Sequence, residues 1–125
     1  MNVHDGLFEI DDDGSLHLLG GYSPTSGQYH FPLAPVCPFT GADDVEQVTL
    51  PTTGVLWAWT AVTTAPPGYD GPLPYGFGVV ELDGIGLRVV GRLTESDPSA
   101  LHDGQPMRVV AEHLDDQTVW AFTPA

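Results

Sequence analysis

Basic residues are almost missing from this 125-residue chain. It has no lysine and three arginines, against 17 aspartates and glutamates, for a formal net charge of −14 at pH 7. A nucleic-acid-binding protein draws most of its affinity from cations placed on phosphates, and basic segments also bring proteins to anionic membrane surfaces. The composition therefore argues against nucleic acid and membrane as partners. It leaves open whether the acidity reflects a salt-adapted host or a basic partner.

Cysteine and long apolar segments are also scarce. Cys37 is the single cysteine, so no intrachain disulfide can form. No apolar run approaches the ~20 residues that a membrane-spanning helix needs. Residues 1–6 lack the basic and apolar regions of a signal peptide. We therefore expect a cytoplasmic protein.

Glycine and proline, with 15 and 12 copies, are plentiful and fall between short apolar segments. This pattern is typical of an all-β protein rich in turns, and only residues 96–102 offer a single helical turn. Five strands with one longer connection after the third predict a small Greek-key barrel of the oligonucleotide/oligosaccharide-binding (OB) type. The predicted strands are a hairpin at 7–10 and 15–19, followed by barrel strands at 55–63, 75–82, 87–93, 107–113 and 118–122.

Two short segments, residues 23–27 and 37–41, share one form, with proline second and glycine fifth. Their first and fourth positions have the spacing of the four cysteines in paired turns, or knuckles, that hold a tetrahedral zinc ion. Only Cys37 can supply a thiolate, because hydroxyl groups are poor zinc ligands, so a classical zinc site is excluded. We expect hydrogen bonds, aromatic packing or a partner to hold the turns instead. The vestigial zinc-ligand positions are Ser23, Ser26, Cys37 and Thr40.

A wider set of segments has the order and spacing of one known family. Besides the two knuckles, these segments are Leu18–Gly21, His30–Pro32, Gly54–Thr60, Pro66–Tyr69, Pro74–Leu82 and Asp103–Val109. The chain resembles the prokaryotic family catalogued as domain of unknown function thirty-five, in which a rubredoxin-like zinc ribbon precedes an OB-fold domain. The resemblance implies an N-terminal hairpin and degenerate zinc ribbon in residues 1–53 and a five-stranded OB-fold barrel in residues 54–125. The missing ligands depart from the family pattern, and we expect no metal.

The resemblance also implies a function. Members of this family are typically non-catalytic partners of thiolase-superfamily enzymes, namely thiolases, acyltransferases and steroid side-chain retro-aldolases. The enzyme carries out the carbon–carbon chemistry, while the small subunit stabilises it and helps to shape its acyl-coenzyme A (acyl-CoA) entrance. By this resemblance the chain is an accessory subunit that binds no cofactor itself and supports an enzyme acting on acyl-CoA.

Two segments are candidate contact surfaces. Residues 31–35 have more apolar surface than a small ribbon can bury, and exposed apolar patches usually mark the binding site of a partner. The proline-rich loop 65–74 is rigid, which reduces the entropy lost on binding. The three arginines are the only cations able to meet CoA phosphates, unless nearby acids pair with them. The predicted partner or acyl-channel residues are Phe31, Pro32, Tyr69, Leu73, Tyr75, Phe77, Arg88 and Arg92.

Other functions receive less support from the residues. Strand aromatics could stack nucleic-acid bases, but the charge leads us to interpret them as barrel core. These aromatics are Trp57, Trp59, Tyr75 and Phe77. We predict no catalytic residue, because Cys37 and the histidines stand in no nucleophile motif. A non-classical metal site of Cys37, His30 and nearby aspartates has no supporting spacing.

Two alternatives to the accessory subunit remain. One is a stand-alone OB-fold module that binds a small ligand or acyl-CoA. The other is an enzyme with Cys37 as its nucleophile. The aspartate pairs at 43–44 and 115–116 lie in turn-like sequence, and we interpret them as solvated.

Overall fold

A computed structural model describes residues 7–65, 67, 73–114 and 117–125. This part of the chain is nearly all strands and turns, with one short 3-10 helix at Pro98–Ala100, which confirms the all-β prediction. It contains no helix long and apolar enough to cross a bilayer. The strands are β1 (Phe8–Ile10), β2 (Leu16–Ser23), β3 (Gln28–His30), β4 (Glu46–Thr49), β5 (Thr53–Val62), β6 (Tyr75–Leu82), β7 (Arg88–Leu93), β8 (Pro106–Leu114) and β9 (Gln117–Pro124).

The first four strands form a small antiparallel sheet around β2. Strand β2 pairs with β1 through its first residues and with β3 and β4 through its later ones. The β1–β2 connection is the predicted hairpin turn, in which the backbone N–H of Gly14 donates to the Asp11 carbonyl at 2.9 Å. Gly14 has φ of +87°, a conformation that glycine adopts without strain.

Strands β5 to β9 close into a barrel in the order β5–β6–β7–β9–β8. This confirms the predicted five-stranded, OB-like barrel. Strand β5 pairs with two strands. Most of its length pairs with β6, and Thr53–Val55 also pairs with β8. The closure between β7 and β9 is a parallel ladder of only two residue pairs.

Trp120 of β9 fills the seam beyond this short ladder. Its indole lies on Gly91 of β7, where a β-carbon would come within 2.9 Å of the indole nitrogen. That nitrogen donates a hydrogen bond to the Val90 carbonyl at 3.0 Å. Phe8 and Phe31 meet the same indole edge to face, with ring centroids 6.5 and 5.4 Å away. Trp120 therefore joins the barrel seam to the N-terminal region.

A bulge in β5 overturns part of the predicted strand pattern. The register with β6 shifts between Leu56 and Ala58, so the strict alternation predicted along residues 55–62 breaks at Trp57. Leu56 is buried inside the barrel, whereas Trp57 is 50% exposed. The interpretation of Trp57 as barrel core is therefore wrong.

Phe77 also lies outside the barrel, with 36% of its surface exposed, so its assignment to the core is wrong as well. The reason is the pleat of β6, which turns Gly76 and Gly78 inward and Phe77 outward. A β-carbon on Gly78 would come within 2.6 Å of the Ala58 carbonyl, so the interior has no room for a side chain there. Trp59, in contrast, packs against the core as predicted.

One apolar cluster fills the interior and draws on both sheets. The N-terminal sheet and the connection to the barrel contribute buried side chains next to those of the barrel strands. The division of the chain into residues 1–53 and residues 54–125 stays a prediction. The buried members of the cluster are Phe8, Leu16, Leu18, Leu50, Leu56, Val80, Leu82, Val89, Leu93, Leu101, Met107, Val109 and Phe122.

Candidate functional site

The two x-Pro-x-x-Gly segments fold into turns of the same geometry. In the first, the backbone N–H of Gly27 donates to the Ser23 carbonyl at 2.7 Å, and in the second Gly41 donates to the Cys37 carbonyl at 2.8 Å. Both glycines have positive φ, +69° and +74°, where a side chain would be strained. The repeated sequence form therefore corresponds to a repeated structure.

The vestigial ligand positions of the two turns lie together. The Ser26 hydroxyl is 3.5 Å from the Cys37 sulfur, and the Ser26 backbone N–H donates to the Ser23 hydroxyl at 3.3 Å. The Thr40 hydroxyl is also a hydrogen-bond partner of the Cys37 thiol. Zn–S bonds of about 2.3 Å at tetrahedral angles would place two sulfurs ~3.8 Å apart. The Ser26–Cys37 separation is close to that value, with a hydrogen bond where a metal would sit.

Cys37 is 1% exposed, and its surroundings favour the thiolate. Hydrogen bonds from the Ser26 hydroxyl, the Thr40 hydroxyl and the backbone N–H groups of Phe39 and Thr40 lower the pKa of Cys37 from 9.0 to about 7, against the opposing effect of burial. Hydrogen-bond donors stabilise the charged form of a thiol and so lower its pKa. Within the described ranges, no three histidine, cysteine or acidic side chains gather as metal ligands would, so Cys37 and His30 do not form the non-classical cluster considered above.

Asp44 holds the first turn, although it lies 21 residues after Ser23 in the sequence. Its Oδ1 accepts a hydrogen bond from the Ser23 hydroxyl at 2.6 Å, and its Oδ2 accepts one from the Thr25 backbone N–H at 2.8 Å. These bonds, from Ser23 first and then from Thr25, lower the pKa of Asp44 to about 2. The interpretation of Asp44 as a solvated turn residue is wrong. No spacing in the sequence connects Asp44 with Ser23, so no local pattern could have revealed the contact.

His30 fixes the segment that follows β3. Its side chain is 3% exposed, and Nε2 accepts a hydrogen bond from the Ala34 backbone N–H at 3.2 Å. The ring packs on the backbone of Gly21, which leaves no space for a β-carbon at that position. His30 is therefore a structural residue that orients the chain leading from Phe31 to Ala34.

A second candidate region is the outer surface of three adjacent barrel strands, which we name the aromatic face: Trp57, Tyr75, Phe77, Val79, Glu81, Arg88, Val90 and Arg92. Trp57 and Val90 are 50% and 47% exposed. In the β6–β7 register, Phe77 lies opposite Arg92 and Val79 opposite Val90. These outward side chains are cross-strand neighbours, so they form one continuous surface.

Both arginines of the aromatic face already have partners. Arg88 lies over the Trp57 ring, 4.2 Å from its centroid, and its Nε is 3.3 Å from a Glu81 carboxylate oxygen. Arg92 lies over the Tyr75 ring, 4.4 Å from its centroid, and forms an ion pair with Glu112. The acid pairing that the sequence offered as an alternative is therefore present, while contact with CoA phosphates stays a prediction.

Two shallow apolar grooves continue the aromatic face towards the N-terminal sheet. One, of about 310 Å³, lies between Phe77 and Trp120, and the other, of about 280 Å³, lies between Trp120 and the Phe31–Pro32 segment. Val90 and Trp120 line both grooves. The structure thus brings the predicted contacts Phe31, Pro32 and Phe77 to one side of the molecule.

The remaining predicted contacts, Leu73, Tyr75 and Tyr69, fall in or near the start of β6 or outside the described residues. Leu73 is exposed just before β6, and Tyr75 is partly buried at the start of that strand. Tyr69 lies outside the described residues. Val90 was missed from the sequence, although its position between outward Arg88 and Arg92 gave a usable signal. Trp120 was also missed, and no feature of the sequence around it indicated that it would line the grooves.

Residues 47–112 match the family described as the C-terminal OB-fold domain of ChsH2. This match spans more than half of the chain, and the chain belongs to that family. The predicted membership is confirmed.

Curated relatives agree with this assignment. One is a DUF35 domain-containing scaffold protein of Pyrococcus furiosus, 29% identical over 97 residues that make up 78% of this chain and 70% of the relative. Another, from Methanocaldococcus jannaschii and with the same description, is 24% identical over 98 residues, covering 78% of this chain and 69% of the relative.

Solved structures share the architecture. A structure described as the Ltp2-ChsH2(DUF35) aldolase superposes with a TM-score of 0.70 at 25% identity, covering 86% of this chain and 84% of the solved one. A DUF35-family protein of unknown function from Sulfolobus solfataricus superposes with a TM-score of 0.55 at 11% identity, covering 87% and 76%. The second likeness concerns the fold alone.

Proposed function

We propose that this chain is a non-catalytic accessory subunit that binds a thiolase-superfamily enzyme and supports its action on an acyl-CoA substrate. The observation that carries the proposal is the 0.70 TM-score match to a chain of an aldolase complex that has a DUF35 component. The Pyrococcus relative's description as a scaffold protein points the same way. The enzyme supplies the thiolysis, retro-aldol or acyl-transfer chemistry, and the acyl-CoA belongs to the complex.

The distribution of side chains supports a role in assembly. Trp57, Phe77 and Val90 expose large apolar surfaces on one side of a small barrel, and contiguous exposed apolar surface is typical of an interaction site. The most chemically reactive group, the Cys37 thiol, is buried and engaged with Ser26 and Thr40, where a substrate has no access.

We also propose that the N-terminal sheet with its two turns is the metal-free counterpart of a rubredoxin-like zinc ribbon. The matching hydrogen bonds of the two turns and the 3.5 Å approach of Ser26 to Cys37 support this proposal. The hydrogen bond between Ser26 and Cys37 takes the place of the metal as the connection between the turns, and Asp44 holds the first turn through Ser23 and Thr25. The cytoplasmic location stays a prediction.

Co-purification with an enzyme tests the proposed function. The chain is co-expressed with a thiolase-superfamily enzyme of the same organism, chosen by gene neighbourhood, and co-elution and acyl-CoA turnover are measured with and without the chain. We expect one stable complex and a loss of enzyme yield or turnover when the chain is omitted. An enzyme that elutes alone at full activity would refute the proposal.

A calorimetric titration of the isolated chain with CoA distinguishes the stand-alone alternative. A subunit that contributes only part of an acyl-CoA entrance has little affinity for CoA by itself, so we expect no measurable heat. Tight binding by the isolated chain, together with failure to co-elute with the enzyme, would favour the ligand-binding module.

A further inference from the structure

We propose that the aromatic face is the docking surface of this chain, and that its occupant is a protein surface with an apolar centre and a basic rim. The inference rests on the proposed function, because it takes the enzyme as the partner, but it adds which face binds and what chemistry the partner must present. The contact surface is one continuous area on β5, β6 and β7 instead of two separate loops.

Apolar exposure is concentrated on this face. Among the described residues, seven large apolar side chains are exposed, and three of them, Trp57, Phe77 and Val90, lie on adjacent strands here. Leu73 comes just before the same sheet and is also exposed. The grooves beside Trp120 extend the apolar surface towards Phe31. Aromatic anchors with an adjoining groove are the usual centre of a protein interface.

The charges on the face cancel when Glu112, which borders it, is included. Arg88 pairs with Glu81, and Arg92 pairs with Glu112 on the neighbouring part of the barrel. Their guanidinium groups also lie over the rings of Trp57 and Tyr75. Two arginines and two glutamates sum to zero, so the whole formal charge of −14 belongs to the remainder of the chain. The face is a neutral aromatic area on an otherwise acidic protein.

This charge distribution selects the occupant. A second copy of the chain would bring another net charge of −14 to the contact, and the two negatively charged copies would repel each other. A partner with lysines and arginines around an apolar centre would instead be attracted by the net negative charge of the chain and would bury its apolar centre against the neutral face. Charge complementarity therefore favours a protein partner of opposite rim charge over self-association.

Two matched substitutions test the location. Val90 on the aromatic face and Val36 beside the second knuckle are 47% and 43% exposed, so Val90→Glu and Val36→Glu place the same charge on equally exposed valines. We expect Val90→Glu to weaken binding of the neighbouring-gene enzyme by about 30-fold or more, the effect of a central interface residue. Val36→Glu should change the dissociation constant by less than about threefold. Equal melting temperatures of the two variants establish that both are folded.

The outcomes separate the two proposals. If the unaltered chain binds the enzyme but Val36→Glu weakens binding more than Val90→Glu, the docking face is wrong while the accessory function stands. If the unaltered chain does not bind at all, the proposed function fails. Sedimentation of the chain alone addresses the occupant, since a dimer that Val90→Glu dissociates would show that a second copy covers the face and would overturn the inference.

Salt dependence tests the basic rim. Attraction between the acidic chain and a basic rim accelerates association, and salt screens it. We therefore expect the association rate constant of the unaltered chain to fall about tenfold or more between low and high salt, while the dissociation rate constant changes little. A rate constant that stays level or rises with salt would overturn the assignment of a basic rim.

Discussion

The barrel and the paired knuckles of this chain are stabilised by different kinds of interaction. Phe122, Met107 and Val80 are completely buried in the barrel, which depends on apolar packing. The knuckles depend on hydroxyl groups, one thiol and the Asp44 carboxylate. Apolar packing is insensitive to pH, whereas a network built on a titratable carboxylate is not. The comparison shows that two turns with the ligand spacing of zinc knuckles can be held by polar contacts, at the cost of a dependence on protonation.

The largest effect is expected from restoring the missing ligands. A chain with Ser23→Cys, Ser26→Cys and Thr40→Cys presents four thiols on turns that already place Ser26 3.5 Å from Cys37. We expect one zinc per chain, bound with an apparent free energy of about 10 kcal/mol, as in small structural zinc sites. Metal analysis and thermal unfolding with and without a chelator measure the effect. A variant that also carries Cys37→Ala serves as the three-ligand control, and absence of zinc from the four-thiol chain would show that the turns lack knuckle geometry.

Truncation in the barrel core comes next. Phe122 is 0% exposed, so Phe122→Ala should cost about 4 kcal/mol through lost burial and the cavity left behind. Denaturant unfolding measures this loss, which is a large share of the stability of a domain this small. Phe39→Ala, at a 60% exposed position on the second knuckle, is the control, with an expected change of no more than about 0.5 kcal/mol. Equal costs at the two sites would mean that the knuckle is as tightly packed as the barrel.

Acid sensitivity should separate the two regions. The pKa of Asp44 is lowered from 3.8 to about 2 in the folded chain, so its ionised form stabilises the fold above pH 4. That contribution is lost as the pH falls from about 4 to about 2. We expect Asp44→Asn to lower the melting temperature by several degrees at pH 7 and by little at pH 2. Asp43→Asn, at the exposed neighbouring position, is the control, and a constant Asp44→Asn effect across this range would refute the assignment.

The smallest effect concerns the Cys37 thiol. Because its folded pKa is about 7 instead of 9.0, ultraviolet absorbance of the thiolate should rise around pH 7. The lowered pKa also means that the folded state gains stability as the pH rises from 7 to 9. Ser26→Ala removes the strongest hydrogen bond to the sulfur and should move the midpoint upwards, and Cys37→Ser should abolish the signal. A midpoint near 9 in the unaltered chain would contradict the hydrogen-bonded arrangement.

Local patterns predicted the parts of the fold that depend on local chemistry. Strand β6 was predicted with its observed bounds from a short apolar run flanked by turn residues, and the two x-Pro-x-x-Gly segments indicated matching turns. The 3-10 helix at Pro98–Ala100 lies within the one segment that offered a helical turn. Prolines, glycines and period-two alternation act over a few residues, so one sequence is enough to reveal them.

Features that depend on contacts between distant parts of the chain could not be predicted from the sequence. Asp44 and Ser23 meet only because the second knuckle folds back beside the first. The outward position of Trp57 follows from a bulge in the pairing of β5 with β6, and a bulge leaves no mark in an otherwise apolar strand. The position of Trp120 in the barrel seam follows from the shortness of the β7–β9 ladder beside it. Each of these required the tertiary arrangement.

The shared interior has a mechanical consequence. Leu16, Leu18 and Leu50 from the N-terminal region lie in the same apolar cluster as Met107 and Phe122 of the barrel. Bending one sheet against the other would open that cluster to water, which costs about 25 cal/mol for each Å² of apolar surface exposed. The two sheets should therefore resist bending against each other and move as one unit.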